Sequence, residues 1–120
     1  MEPILNPAAQ INCKCEQLPL DHRDFVSTYL GQDKTKGRFA DVTIEQCLTC
    51  KRNWLHYLVE FESFSSSGRW YRGILVDSDI KITPENAVSY LESLNWYIYG
   101  GSYFSSSGRI GDGDMYIDGY

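Results

Sequence analysis

The strongest constraint on this chain comes from its four cysteines, which fall in two close pairs, Cys13-Lys14-Cys15 and Cys47-Leu48-Thr49-Cys50. Sulfurs separated by one or two residues share a single turn, so a helix or hairpin that returns one pair to the other can close four thiolates around a tetrahedral ion. Such a centre has no vacant coordination position, so its role is structural rather than catalytic. Three other uses of the cysteines stand beside this one. Disulfides fit poorly with an N-terminus, Met1 to Pro7, that has neither the basic nor the apolar part of a secretory signal. A dithiol redox pair belongs at a strand-to-helix junction, whereas an alternating run, Leu55 to Phe61, follows Cys50. An iron or iron–sulfur centre and unrelated buried thiols stay open. Structural zinc on Cys13, Cys15, Cys47 and Cys50 is the expectation.

The rest of the chain arranges itself around that clamp. With 120 residues, 42% of them hydrophobic, there is room for one domain spanning 1–120. Residues 1–12 carry two prolines and no periodicity and read as an N-terminal arm. Residues 13–54 form the metal-binding part and a first helix, predicted over Asp21 to Leu30. Asp21 caps this helix, Phe25, Val26, Tyr29 and Leu30 make its stripe, and Gly31 stops it. A polar loop with Lys34, Lys36 and Arg38 follows, then a short strand, Phe39 to Glu45, that runs into the Cys47 turn.

Residues 55–120 read as aromatic-rich hairpins and a second helix. A hairpin is predicted from Trp54–Phe64 and Arg69–Val76, with Ser65 to Gly68 as a four-residue loop that sets Phe64 opposite Arg69. That register puts Arg72 on the apolar face, from which its head would snorkel to the edge. Thr83-Pro84-Glu85 is a strong helix start, and Ala87, Val88, Leu91 and Leu94 supply the buried stripe of a helix ending near Leu94. Trp96 to Tyr99 reads as a strand, Gly100-Gly101 as a turn or bulge, Tyr103-Phe104 as extended chain, and Met115 to Ile117 as a last strand. The fold class expected is α+β: an antiparallel sheet of hairpins with two short helices, stapled by the four-cysteine metal site.

The Cys47-x-x-Cys50 turn leading into an aromatic strand resembles the knuckle of zinc-ribbon proteins. The resemblance covers Cys47 to about Tyr57; the first pair is Cys-x-Cys, and Lys51 and Arg52 stand where a ribbon has its glycine. It implies a structural zinc ion.

Charge narrows the function. The formal net charge is −5 and the pI is about 4.9, which argues against retention on nucleic acid through phosphate neutralisation and suits a basic protein partner. No apolar run reaches the roughly 18 residues a membrane helix needs, and a cytoplasmic protein is expected. Nine Tyr, five Phe and three Trp suit both strands and an interface.

Phe64-Ser-Ser-Ser-Gly-Arg69 recurs as Phe104-Ser-Ser-Ser-Gly-Arg109. The preferred reading is one hairpin solution used twice; the alternative is a paired binding feature in which the two Ser-rich tips, Arg69 and Arg109 face one anionic ligand, and Arg69, Trp70, Arg72 and Arg109 are the candidate binding residues. Two histidines without a marked nucleophile make no catalytic triad. His56 is a possible base or substitute metal ligand, though a strand histidine is usually half-buried packing, and His22 sits at the surface. Asp112, Asp114 and Asp118 resemble a calcium-loop fragment without its closing glutamate, so an acidic turn is expected.

Three functions follow: a zinc-stapled module that binds a protein through an acidic, aromatic surface; a nucleic-acid-binding zinc ribbon using Lys51, Arg52, Arg69, Arg72 and Arg109; and an enzyme with its site near the two Ser-Gly-Arg segments. The first is preferred, with no catalytic residues assigned.

Overall fold

A computed structural model describes residues 15, 22–35, 38–60, 67–75, 80–104 and 106–115. Six strands pair in sequence order into one antiparallel sheet: β1 (Phe25–Asp33), β2 (Ala40–Cys47), β3 (Asn53–Val59), β4 (Arg69–Ile74), β5 (Tyr97–Gly101) and β6 (Ser106–Gly111). A short helix, α1 (Ala87–Ser93), lies between β4 and β5. Among the described residues no helix is long and apolar enough to cross a membrane.

The antiparallel sheet agrees with the sequence expectation, but the fold is mostly sheet and the first predicted helix is absent. A 3₁₀ turn, His22–Asp24, opens directly into β1. The apolar spacing of Phe25, Val26, Tyr29 and Leu30 fits a helix, yet Phe25-Val26-Ser27-Thr28-Tyr29 is made of β-branched, aromatic and hydroxyl residues that do better on a pleated surface. Pairing with β2 overrides the local period. Gly31 does not stop a helix; it lies where the register shifts between Tyr29 and Gly31, with φ of 131°. That shift is a β-bulge, a usual place for glycine.

The hairpin of β3 and β4 exists in a different register. Val59, not Phe64, faces Arg69, and Tyr57 faces Tyr71. A slip by an odd number of residues exchanges the faces of a strand. It takes Tyr71 into the core beside Tyr57 and carries Arg72 to the other side, opposite His56. The connection therefore runs from 60 to 68, and the proposed loop residues Ser65 and Ser66 lie outside the described residues.

The second helix begins as read. Asn86 N donates to Thr83 Oγ1 at 3.2 Å and Thr83 N donates to Asn86 Oδ1 at 2.9 Å, a reciprocal cap around Pro84. The segment Pro84–Asn86 is a 3₁₀ turn, and α1 follows with Ala87 and Leu91 buried. The helix lies so close to β4 that a Cβ built on Gly73 would stand 2.5 Å from Leu91 Cδ2 and 2.5 Å from Leu94 Cδ1. Gly73→Val should therefore destabilise the fold by about 2 kcal/mol through overpacking, read from the urea midpoint at unchanged m-value.

Both faces of the sheet are covered. Val42, Leu55, Tyr57, Val59, Tyr71 and Tyr97 meet Ala87 and Leu91 on the helix side. On the other side Phe25, Trp54, Trp96 and Ile98 gather around Cys15 and Cys47. The duplicated hexapeptide takes two settings. Its first copy ends at Arg69, fully buried at the start of β4, while in the second Ser106 to Arg109 already belong to β6 and Arg109 is exposed. Phe104 ends a 3₁₀ turn, Ser102–Phe104, rather than extended chain, and residues 116 and 117 of the expected last strand lie outside the described residues.

Candidate metal centre

The turn that follows β2 is built to present sulfur. Lys51 N donates to Cys47 O at 2.9 Å and Cys47 N donates to Arg52 O at 2.9 Å, closing the turn between β2 and β3. Leu48 N donates to Asp24 O at 2.9 Å, which ties the turn to the 3₁₀ segment ahead of β1. Inside it, the amides of Thr49 and Cys50 approach Cys47 Sγ at 3.4 and 3.5 Å. Two N–H dipoles directed at one sulfur favour a negatively charged ligand atom.

Closing this turn takes a left-handed residue, and Lys51 has φ of 66°. An L-residue there pays about 1–2 kcal/mol in steric strain, partly offset by the greater freedom glycine has when unfolded. Lys51→Gly should accordingly raise the unfolding free energy by about 0.5–1 kcal/mol, measured by urea denaturation.

Cys15 closes the cluster from the N-terminal side. The sulfurs of Cys15, Cys47 and Cys50 all lie within 4.8 Å of one another, and Cys15 Sγ is 3.6 Å from Cys50 Sγ. Thiolates on a tetrahedral zinc, with Zn–S near 2.3 Å, stand roughly 3.8 Å apart. The three cysteines could thus hold a metal ion on their described atoms. Cys13, read as the fourth ligand, lies outside the described residues. Cys15 and Cys47 expose no surface and Cys50 is half-buried.

The surroundings contain a feature that the sequence reading missed. Arg72 is only 3% exposed, and its guanidinium lies 4.3 Å from the centroid of Phe25 and 5.2 Å from that of Trp54. Its Nη2 is 3.1 Å from Glu45 Oε1, an ion-pair contact that lacks the alignment of a hydrogen bond. Burial pushes the Arg72 pKa down, opposed by Glu45 and then by Cys15 and Cys47; the group stays protonated all the same. The cysteine cluster therefore has a buried cation beside it. The slipped register accounts for the miss, because β4 read in the other register sends Arg72 to the opposite face.

The other candidates are dispersed. Arg69 is fully buried, Arg109 is exposed on β6, and Trp70 is half-buried with its ring stacked on His56 at 6.2 Å. His56 stands outside the cysteine cluster. Its pKa is pushed down by burial and by Arg72, against the pull of Glu45. Asp112 and Asp114 are exposed, and neither joins a metal-capable group among the described residues. Asp118 lies outside them. No known protein family, no curated protein and no solved structure matches this chain.

Proposed function

We propose that this chain is a small binding module in which Cys13, Cys15, Cys47 and Cys50 hold a structural zinc ion, and whose acidic, aromatic surface engages a basic protein in the cytoplasm. The observation that carries this reading is the enclosure of three cysteine sulfurs within 4.8 Å of one another at the end of the sheet. A centre ligated wholly by thiolates keeps no position for substrate, so the surface that acts lies elsewhere. The net charge of −5 gives that surface its preference for a basic partner. The nucleic-acid reading loses support because Arg69 and Arg72 are buried, which leaves Lys51, Arg52 and Arg109 as its exposed cations.

Two measurements test the proposal. Protein purified without added metal should carry close to one equivalent of zinc, and less than about half an equivalent of zinc with four titratable thiols overturns the clamp. Iron in its place would keep the clamp and change the ion. Capture experiments should retain a basic protein that salt releases, whereas salt-sensitive retention of single-stranded oligonucleotides would favour the nucleic-acid reading instead.

A further inference from the structure

On the helix side of the sheet, away from the cysteines, Tyr71, Tyr97, Tyr99, Gly111, Asp112 and Asp114 line an open cleft of about 220 Å³. We infer that this cleft binds an organic cation, an alkylammonium or guanidinium group, and that the source of that cation is a lysine or arginine side chain of the basic partner. For that source, the inference rests on the binding-module reading above.

Three observations converge on it. The first is the set of rings. Tyr97 is set at 72° to Tyr71 and 70° to Tyr99, while Tyr71 and Tyr99 lie within 22° of parallel. Tyr71 and Tyr97 are buried and back the half-buried Tyr99, whose ring at the cleft wall attracts a cation through its quadrupole. The second is charge. Both charged groups lining the cleft, Asp112 and Asp114, are carboxylates, and both are exposed. Anions are repelled from such a place, and a hydrated metal ion, held off the ring by its water shell, gains less there than an organic cation. The third is size. Pockets for drug-sized ligands run to roughly 300–1,000 Å³; a smaller cleft suits one side chain.

The local sequence explains how the carboxylates come so near the rings. Tyr97 faces Gly111 across β5 and β6, and a Cβ on Gly111 would stand 2.7 Å from Tyr99 Cε1. Only glycine lets the strand lie directly against that ring. Beyond it the chain turns through Gly113, at φ of 74°. The carbonyl oxygens of Asp112, Gly113 and Asp114 gather around Tyr97 Oη at 3.3, 2.9 and 3.2 Å. The hydroxyl has one proton to donate among three acceptors, so the turn is fastened to Tyr97 and remains rich in negative potential. Arg109, directly opposite Tyr99 and exposed, is a nearby cation that does not line the cleft.

The test is a titration of the ¹⁵N-labelled full chain with arginine amide and, separately, with octalysine peptide, at constant ionic strength. Shifts centred on the Gly111 and Gly113 amides are expected, with millimolar affinity for the single cation and tighter binding of the peptide. The double variant Asp112→Asn/Asp114→Asn should weaken both by about fivefold or more, as should Tyr99→Leu, while Tyr99→Phe keeps the ring and the affinity. Arg109→Ala should strengthen binding. The exposed positions of both aspartates leave the rest of the spectrum unchanged. Absence of shifts with either cation overturns the inference, as does equal binding by the double variant, or calcium binding at this turn without organic-cation binding. A basic protein captured equally well by wild type and the double variant also overturns it and leaves the module reading intact. Arginine amide bound here by a chain that captures no basic protein would have the opposite meaning, with the cleft retained and the protein partner lost.

Discussion

Cys47→Ser is expected to abolish metal retention and to lower stability by about 3–5 kcal/mol, a fall of roughly 10–20 °C in the thermal midpoint for a chain of this length. Serine has nearly the size of cysteine, so the loss reports the ligand and not a cavity. Cys47 also accepts the Thr49 and Cys50 amides at 3.4 and 3.5 Å, which makes its sulfur the atom around which the turn is folded. Chelation of the wild-type protein should reproduce most of the shift, and chelation of the variant should add little, because both remove the same interaction. A wild-type midpoint in the variant, with metal content unchanged, would sink the clamp.

The second large effect is expected far from the cysteine cluster, at the end of the β1–β2 hairpin. Asp33 exposes no surface and accepts hydrogen bonds from Tyr57 Oη at 2.6 Å, Thr35 Oγ1 at 2.6 Å and Thr35 N at 3.0 Å. Arg38 Nη1 completes the group at 3.4 Å from the second carboxylate oxygen. Asp33→Asn keeps the volume but removes the charge that Arg38 and both hydroxyl donors answer, at a cost of about 2–4 kcal/mol in urea unfolding. An equal midpoint in wild type and variant would show that the network contributes nothing net.

The same group sets a pH dependence of known sign. Burial pushes the Asp33 pKa up, but the hydrogen bonds from Thr35 and Tyr57 and the charge of Arg38 outweigh it and hold the carboxyl below its ordinary 3.8. A depressed folded value means that its stabilisation is present above that ordinary value and is lost as pH falls through the folded one. Acid unfolding of Asp33→Asn should therefore be shallower below about pH 4 than that of the wild type. Tyr57 works from the alkaline side. Burial, then its bond to Asp33, raises its pKa above the ordinary 10.0, so its contribution is intact below pH 10.0 and lost at higher pH.

Particular residues decide how far the fold could be read in advance. Thr83-Pro84 announced its helix because a cap is a local device, complete within four residues. Cys47-x-x-Cys50 announced a sulfur-bearing turn for the same reason. Asp21 to Leu30 misled because its apolar spacing is compatible with a helix, and the choice fell to β2, which no local pattern contains. The β3–β4 register was lost through one assumption about loop length, since alternation alone fits either of two faces. That single slip hid Arg72 from the cysteine site and Tyr71 from the cleft. The Asp33 network was equally out of sight: Tyr57 and Asp33 are far apart in sequence and meet only across the finished sheet. What sequence shows poorly here is contact between strands, and the cleft, the Asp33 network and the approach of Arg72 to the cysteines are made of such contacts.

The strict neighbour order of the sheet carries one more implication, for synthesis of the chain. Cys15, Cys47 and Cys50 all precede β3, so they leave the ribosome together with β1 and β2 and ahead of the other four strands. The residues that shelter the sulfurs arrive afterwards: Trp54 on β3, Arg72 on β4, then Trp96 and Ile98 from beyond the helix. Assembly of the sulfur cluster and its enclosure are therefore separate events in time. A nascent chain offers its thiols to the surrounding solution, to metal and to oxidant alike, until β3, β4 and β5 have followed.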